Sequence, residues 1–140
     1  MTIVGCNFTK ILVEKKSDAS GKINITNNVS IKKVQSMDLS FGKAKEKGIR
    51  YSFEFNSKYE PNVGIITLNG DIISLEPEDK IKEIVAEWKK TEKLGKETMV
   101  LLLNNILAKC NIEALILSKD INLPPPILLP KVDGSDPKKK

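Results

Sequence analysis

Two periodicities divide this chain near residue 75. Up to that point apolar residues recur at every second position, and beyond it at every third or fourth. The clearest alternation is Ile49 to Ser57, IRYSFEFNS. Ile49, Tyr51, Phe53 and Phe55 share one face, and Arg50, Ser52, Glu54 and Asn56 share the other. Such a strand suits an antiparallel sheet covered on one side. Phe8 to Lys15 alternates in the same way, with Ile11 and Val13 together. Lys22 to Ser30 is rich in β-formers but interrupted by Asn27-Asn28, so it is either two short strands around a turn or one kinked strand. Met37, Leu39 and Phe41 place another strand over Ile31 to Phe41. Ser17 to Gly21 and Gly42 to Gly48 read as polar or charged loops, and Glu60-Pro61-Asn62 as a turn. Asn69-Gly70, between Val63–Leu68 and Asp71–Leu75, is a hairpin signal because both residues tolerate positive φ. The expected arrangement from Phe8 to Leu75 is an antiparallel meander.

After Leu75 the chain reads as helix. Glu76-Pro77-Glu78-Asp79 puts proline and acids where a helix begins. Ile81, Ile84, Val85 and Trp88 follow at helical spacing, and Leu94-Gly95 ends the run. A second helix spans about Lys96 to Lys119. Met99, Leu103, Ile106 and Cys110 form one stripe, and Val100, Leu101, Leu102, Leu107, Leu115 and Ile116 widen it far beyond an ordinary apolar face. Asn104, Asn111 and Ser118 mark a narrow polar line. A helix this apolar needs cover on more than one side, which a sheet alone does not provide. Pro124 to Pro126 then stiffen NLPPPILLP into an extended ribbon. That ribbon either straps its own core or rims an apolar groove. The fold class expected is therefore α+β: a curled antiparallel sheet of four or more strands, then two helices packed on one face.

Composition narrows the chemistry. The chain has 140 residues, 40% of them hydrophobic and 29% charged, which suits a single folded domain over 1–132 with a disordered basic tail at 133–140. No run is expected to span a bilayer and no leader is apparent, so the expected compartment is the cytoplasm. There is no histidine, which removes Ser–His and Cys–His catalysis and the commonest metal ligand. Cys6 and Cys110, the only cysteines, have no metal or disulfide-framework spacing and are expected as reduced thiols. Of 23 basic residues in a chain of net charge +5, all but Arg50 are lysine. Lysine lacks the planar fork that reads phosphate and guanine, so nucleic-acid binding is disfavoured. The acids Glu76, Glu78 and Asp79 read as complements of a helix dipole. No enzyme, metal or cofactor is expected.

The order of these parts is similar to the SecB family of export chaperones. The likeness lies in Phe8–Glu14 as first strand and Ile23–Ile31 as the segment crossing to the second. It continues in the alternating Ile49–Phe55, the hairpin through Asn69-Gly70, and Asn122 to Ile127. The resemblance implies a homotetramer built as a dimer of dimers, without ATP or metal, that holds unfolded polypeptides in long apolar grooves. There are three departures. The family's bacterial members are acidic and dock an acidic face on the export motor, whereas this chain is basic, so delivery to that motor is not carried over. The family also has a further C-terminal helix lining the groove, which would start about where these 140 residues end. The helix at 78–90 is longer than the family's pattern and stands where it could replace that wall, with Trp88 as an anchor.

The leading functional expectation is thus an ATP-independent holdase for unfolded chains. Client contact is expected at Met37, Leu39 and Phe41 on the second strand, at Trp88, and at Leu123 and Ile127 on the ribbon. Met99, Leu101, Leu102, Leu103 and Ile106 on the long helix are expected at the oligomer interface. For each residue the competing reading is burial in its own core. An oligomeric adaptor for one folded partner is the alternative from another class, and a lysine-rich nucleic-acid binder comes third.

Overall fold

Alternation decides the sheet. The computed structural model describes residues 2–18, 21–41 and 44–127, with residues 40, 41, 44 and 45 described by their backbone alone. Four strands are formed: β1 (Thr2–Lys15), β2 (Asn24–Phe41), β3 (Ala44–Glu60) and β4 (Gly64–Leu75). Two helices follow, α1 (Glu78–Thr91) and α2 (Lys96–Asp120). All neighbouring strands are antiparallel, in the order β1-β4-β3-β2. The fold is α+β, as the two periodicities require.

The strands differ from the sequence reading in four places. The sheet is not a simple meander: β2, β3 and β4 follow one another, but β1 lies against β4. Its connection to β2 crosses the sheet end, where the Lys16 and Ser17 amides donate to the Val63 carbonyl at 2.7 and 3.2 Å. The segments read separately as 22–30 and 31–41 form one strand from Asn24 onward, kinked by a bulge between Ile31 and Lys33 that moves the buried positions from Ile31 to Val34. The charged run 44–48 is strand, because Asp38 and Leu39 pair with Lys47 and Glu46 and Lys47 meets Glu78 at 3.0 Å.

The fourth difference is Asn69-Gly70, which forms no turn. β4 runs straight through it, with Gly70 opposite both Phe8 and Phe53. A Cβ on Gly70 would stand 2.4 Å from the Asn7 carbonyl oxygen and 2.7 Å from the Phe53 ring. Here glycine serves close approach of an aromatic pair: Phe8 and Phe53 meet edge to face at 6.3 Å.

The core lies between the sheet's inner face and the helices. Ile49, Tyr51, Phe53, Phe55 and Tyr59 of β3 and Ile66, Leu68 and Ile72 of β4 are buried there with Ile81, Leu102, Ile106 and Cys110. The outer face is mixed: Ser52 donates to Asp71 at 2.8 Å and Thr67 to Asn56 at 2.9 Å, with Ile65, Ile73 and Leu75 of β4 half-buried on the same side. α1 packs on β2 and β3, and α2 on β4 and β3.

α1 starts after Pro77 with Glu78 and Asp79 in its first turn and Lys89 and Lys90 in its last. Both ends therefore complement the helix dipole. α2 ends in a Schellman motif: Asn122 adopts φ 57°, its amide donates to the Lys119 carbonyl at 3.3 Å, and the Leu123 amide donates to Ser118 at 2.8 Å.

Candidate apolar binding site

α2 carries apolar residues on opposite sides but is dry on only one. Its buried row is Leu102, Ile106, Cys110, Ala114 and Ser118, each four residues after the last. Steps of four drift about 40° around a 3.6-residue helix, so the row winds with the twisted sheet beneath it. Ser118, read as part of a polar line, belongs to this row and donates to the Leu115 carbonyl at 2.7 Å. By length and composition α2 could cross a membrane, which overturns the expectation that no segment is apolar enough. In this fold its buried row is packed on β3 and β4.

The opposite side of α2 faces outward with Leu101, Asn105, Ala108, Ile112 and Ile116 at helical spacing. Leu101 is 49% exposed, Ile112 63% and Ile116 50%, and Val100 beside them is 49% exposed. From Leu101 to Ile116 this strip extends about 22 Å at the helical rise. Covering half-exposed residues of this size returns about 1 kcal/mol each.

The strip runs into a furrow beside the prolines. Leu115, Ile116, Ser118, Lys119, Leu123 and Pro125 enclose about 490 Å³. One wall is the ribbon, which the sheet holds by three contacts. Tyr59 donates its hydroxyl to the Pro124 carbonyl at 2.6 Å. Asn27 Nδ2 donates to the Pro126 carbonyl at 2.8 Å and its Oδ1 accepts from Ser57 at 2.6 Å. Leu123 is buried, its methyls 3.2 and 3.3 Å from where a Cβ on Gly64 would stand. Burial pushes the Tyr59 phenol up to about 12, so it remains a donor at any ordinary pH. The ribbon both straps its own sheet and rims an apolar furrow.

The sequence-expected residues do not converge on one groove. Leu123 lies at the Gly64 end of the sheet, buried, with Ile127 half-buried beyond it. Met37 and Leu39 lie at the other end, about 35 Å away along β3 at the rise of an extended strand. Register places them on the outer face, paired with Gly48 and Glu46, and Leu39 covers Gly48. Trp88 is half-buried against the core from the helix side. The side chain of Phe41 lies outside the described residues, as do 128–140.

On α2, Leu101 is exposed and Met99 and Leu103 are half-buried. Leu102 and Ile106 are at 0% exposure. These two are core residues of their own subunit, because the drifting row carries them under the sheet. Ile112, absent from the expected interface, is the most exposed of the strip.

Sequence reasoning missed Asn27, Ser57, Tyr59 and Gly64, the residues that hold the ribbon. A signal was present. Asn27 stands in register with Ile25 and Val29 on an apolar face, and the alternation of β3 continues past Ser57 to Tyr59.

The remaining chemistry is sparse. Burial raises the Cys6 thiol, against the nearby Lys109, and pushes Cys110 up to about 12. Both are free cysteines held in the unreactive thiol form. Among the described residues no group of three or more acids or cysteines is placed to hold a metal ion.

No protein family matches the chain, and no curated protein matches it. In structure it is similar to the SecB-like chaperone Rv1957 of Mycobacterium tuberculosis, in complex with a ChAD peptide from the Rv1956 HigA1 antitoxin. The TM-score is 0.50 with 9% sequence identity, over 94% of this chain and 90% of that one. At that identity the likeness is one of fold, and the fold of this chain is SecB-like.

Proposed function

We propose that this chain is an ATP-independent holdase that binds non-native polypeptide segments in the furrow beside the prolines. Copies of the chain cover the Leu101–Ile112 part of the strip in an oligomer, a dimer of dimers. The observation that carries this reading is the unshielded apolar side of α2, which continues into a furrow of about 490 Å³. The shared fold with a chaperone that was solved with a peptide supports it. Such a site needs surface and no reaction chemistry. Its effect on clients is mass action on their unfolded state.

The test is to dilute an unrelated, chemically unfolded protein into this one and follow light scattering, with the native mass measured on the same sample. The expected outcome is suppressed aggregation by an oligomer near stoichiometric ratio. A monomer that leaves scattering unchanged removes the proposal. An oligomer that leaves scattering unchanged but binds one folded partner supports the adaptor reading instead.

A further inference from the structure

α1 is held to the sheet by little. Ile81 is the buried residue among its fourteen, and Ile84, Val85 and Trp88 are half-buried. Hollows run along two opposite flanks of the helix. One of about 250 Å³ separates Ile84 and Glu87 from Leu94 and Thr98 at the start of α2. Another of about 260 Å³ lies between Ile81, Val85 and Ala86 and Ser36 of β2. Lys47 Nζ of β3 donates to Glu78 Oε1 at 3.0 Å, but both side chains are exposed, and such a pair contributes little.

Beneath α1 the core carries a polar defect. Val34 of β2 pairs with Tyr51 of β3, beside the pair Ser36 and Ile49, and α1 packs on both strands. Ser74 of β4 faces Ile49 where the chain leaves the sheet for α1. Tyr51 and Ser74 are fully buried. They stand near each other, yet neither the Tyr51 hydroxyl nor Ser74 Oγ makes a hydrogen bond of good geometry among the described residues. Burying unpaired hydroxyls costs the closed form free energy that water returns on opening. The ends of α1 suit a hinge. Pro77 precedes its first turn, and past its last turn Glu92 holds φ 55°, a region that favours glycine. A Cβ on Gly95 would meet nothing within 4 Å.

We propose that α1 is a lid that leaves the sheet as one unit while the four strands and α2 stay folded. Opening uncovers an apolar floor of Val34, Ile49 and Tyr51. A helix of this length is marginal without tertiary support, so α1 melts as it lifts. Such partial opening belongs to elements with few buried contacts. The lid is separate from the furrow and does not depend on the holdase reading.

The measurement is native-state hydrogen exchange by mass spectrometry, with Trp88, the one tryptophan of the chain, as a fluorescent reporter on the lid. Protection of 78–91 is expected to be at least tenfold below that of Ile49–Phe55. Ile81→Ala should lower it at least a further tenfold and shift Trp88 emission to the red, with Ile49–Phe55 unchanged. Glu78→Gln, which touches only the exposed ion pair, should lower it about twofold and leave the unfolding midpoint alone. Tyr51→Phe should raise it severalfold, because the closed form then has one unpaired hydroxyl fewer. Protection of 78–91 equal to that of Ile49–Phe55 would overturn the proposal, since α1 would then open only with the whole core. Equal loss in both segments with Ile81→Ala, or loss of the fold altogether, would overturn it too. So would a Tyr51→Phe variant whose lid is less protected than the wild type's.

Discussion

At Gly70 the sheet has no room for a side chain, and this makes the position a sharp test of the strand register. Gly70→Ala sets a Cβ 2.4 Å from the Asn7 carbonyl oxygen, which is backbone and cannot swing aside. Urea denaturation is expected to show a loss of about 2–3 kcal/mol, the range of an overpacked core. If Asn69-Gly70 were a surface turn the loss would be a few tenths. Tyr59 tests the ribbon at the same scale. Tyr59→Phe leaves the Pro124 carbonyl without its donor and should cost about 1 kcal/mol. It should also change the alkaline limb of stability. The folded phenol lies at about 12, above the ordinary value near 10. The fold therefore favours the protonated form, and its contribution is whole below about pH 10 and lost as pH rises toward about 12. Tyr51 and Cys110, also raised to about 12 by burial, act in the same direction, Cys110 from nearer pH 9. The wild type should lose stability across pH 9–12, and the Tyr59→Phe variant should lose less of it above pH 10. Equal slopes for the two proteins would show that Tyr59 is not desolvated.

Along α2 the same substitution should have opposite consequences on its two sides. Ile106→Asp puts an unpaired carboxylate in the core, and should cost more than about 4 kcal/mol or prevent folding. Ile112→Asp and Leu101→Asp fall on the exposed strip and should leave the unfolding midpoint within about 0.5 kcal/mol. If copies of the chain cover that strip, the two exposed variants should lower the native mass in solution, measured by multi-angle scattering. An unchanged mass in both would move the interface elsewhere. This element also shows what composition could reveal. That α2 is too apolar for one sheet to shield is legible from Val100, Leu101, Ile112 and Ile116. Which side stays wet is not, because apolar residues all round leave no moment to fix the rotation. The sheet fixes it, through a four-residue row that no single stripe of a 3.6-residue helix matches. β4 misled for a related reason. Glycine beside asparagine suits a turn, and only the long-range approach of Phe8 and Phe53 shows that glycine was needed inside a strand.

Across the whole molecule the ribbon joins the three parts on which the proposed function depends. It closes the core through Leu123, binds β3 and β2 through Pro124 and Pro126, and walls the furrow with Pro125. Its stiffness was legible in three consecutive prolines, but its attachment was not, since Asn27 and Tyr59 are 99 and 65 residues away. These roles fall on different residues and can be separated. Leu123→Ala removes a buried side chain and should cost about 2–4 kcal/mol, with capture of unfolded clients reduced in proportion to the furrow's disorder. Pro125 is exposed, while the ribbon's hydrogen bonds to the sheet run through Pro124 and Pro126. Pro125→Asp should therefore leave thermal unfolding nearly unchanged, while placing a charge against Leu115 and Ile116 and reducing suppression of client aggregation severalfold. Because the contact is apolar, sulfate should strengthen capture by the wild type, whereas attraction to a lysine-rich surface would weaken with salt. If Pro125→Asp captures clients as well as the wild type does, in low and high sulfate alike, the furrow is only a seam in the strap and clients bind on another surface.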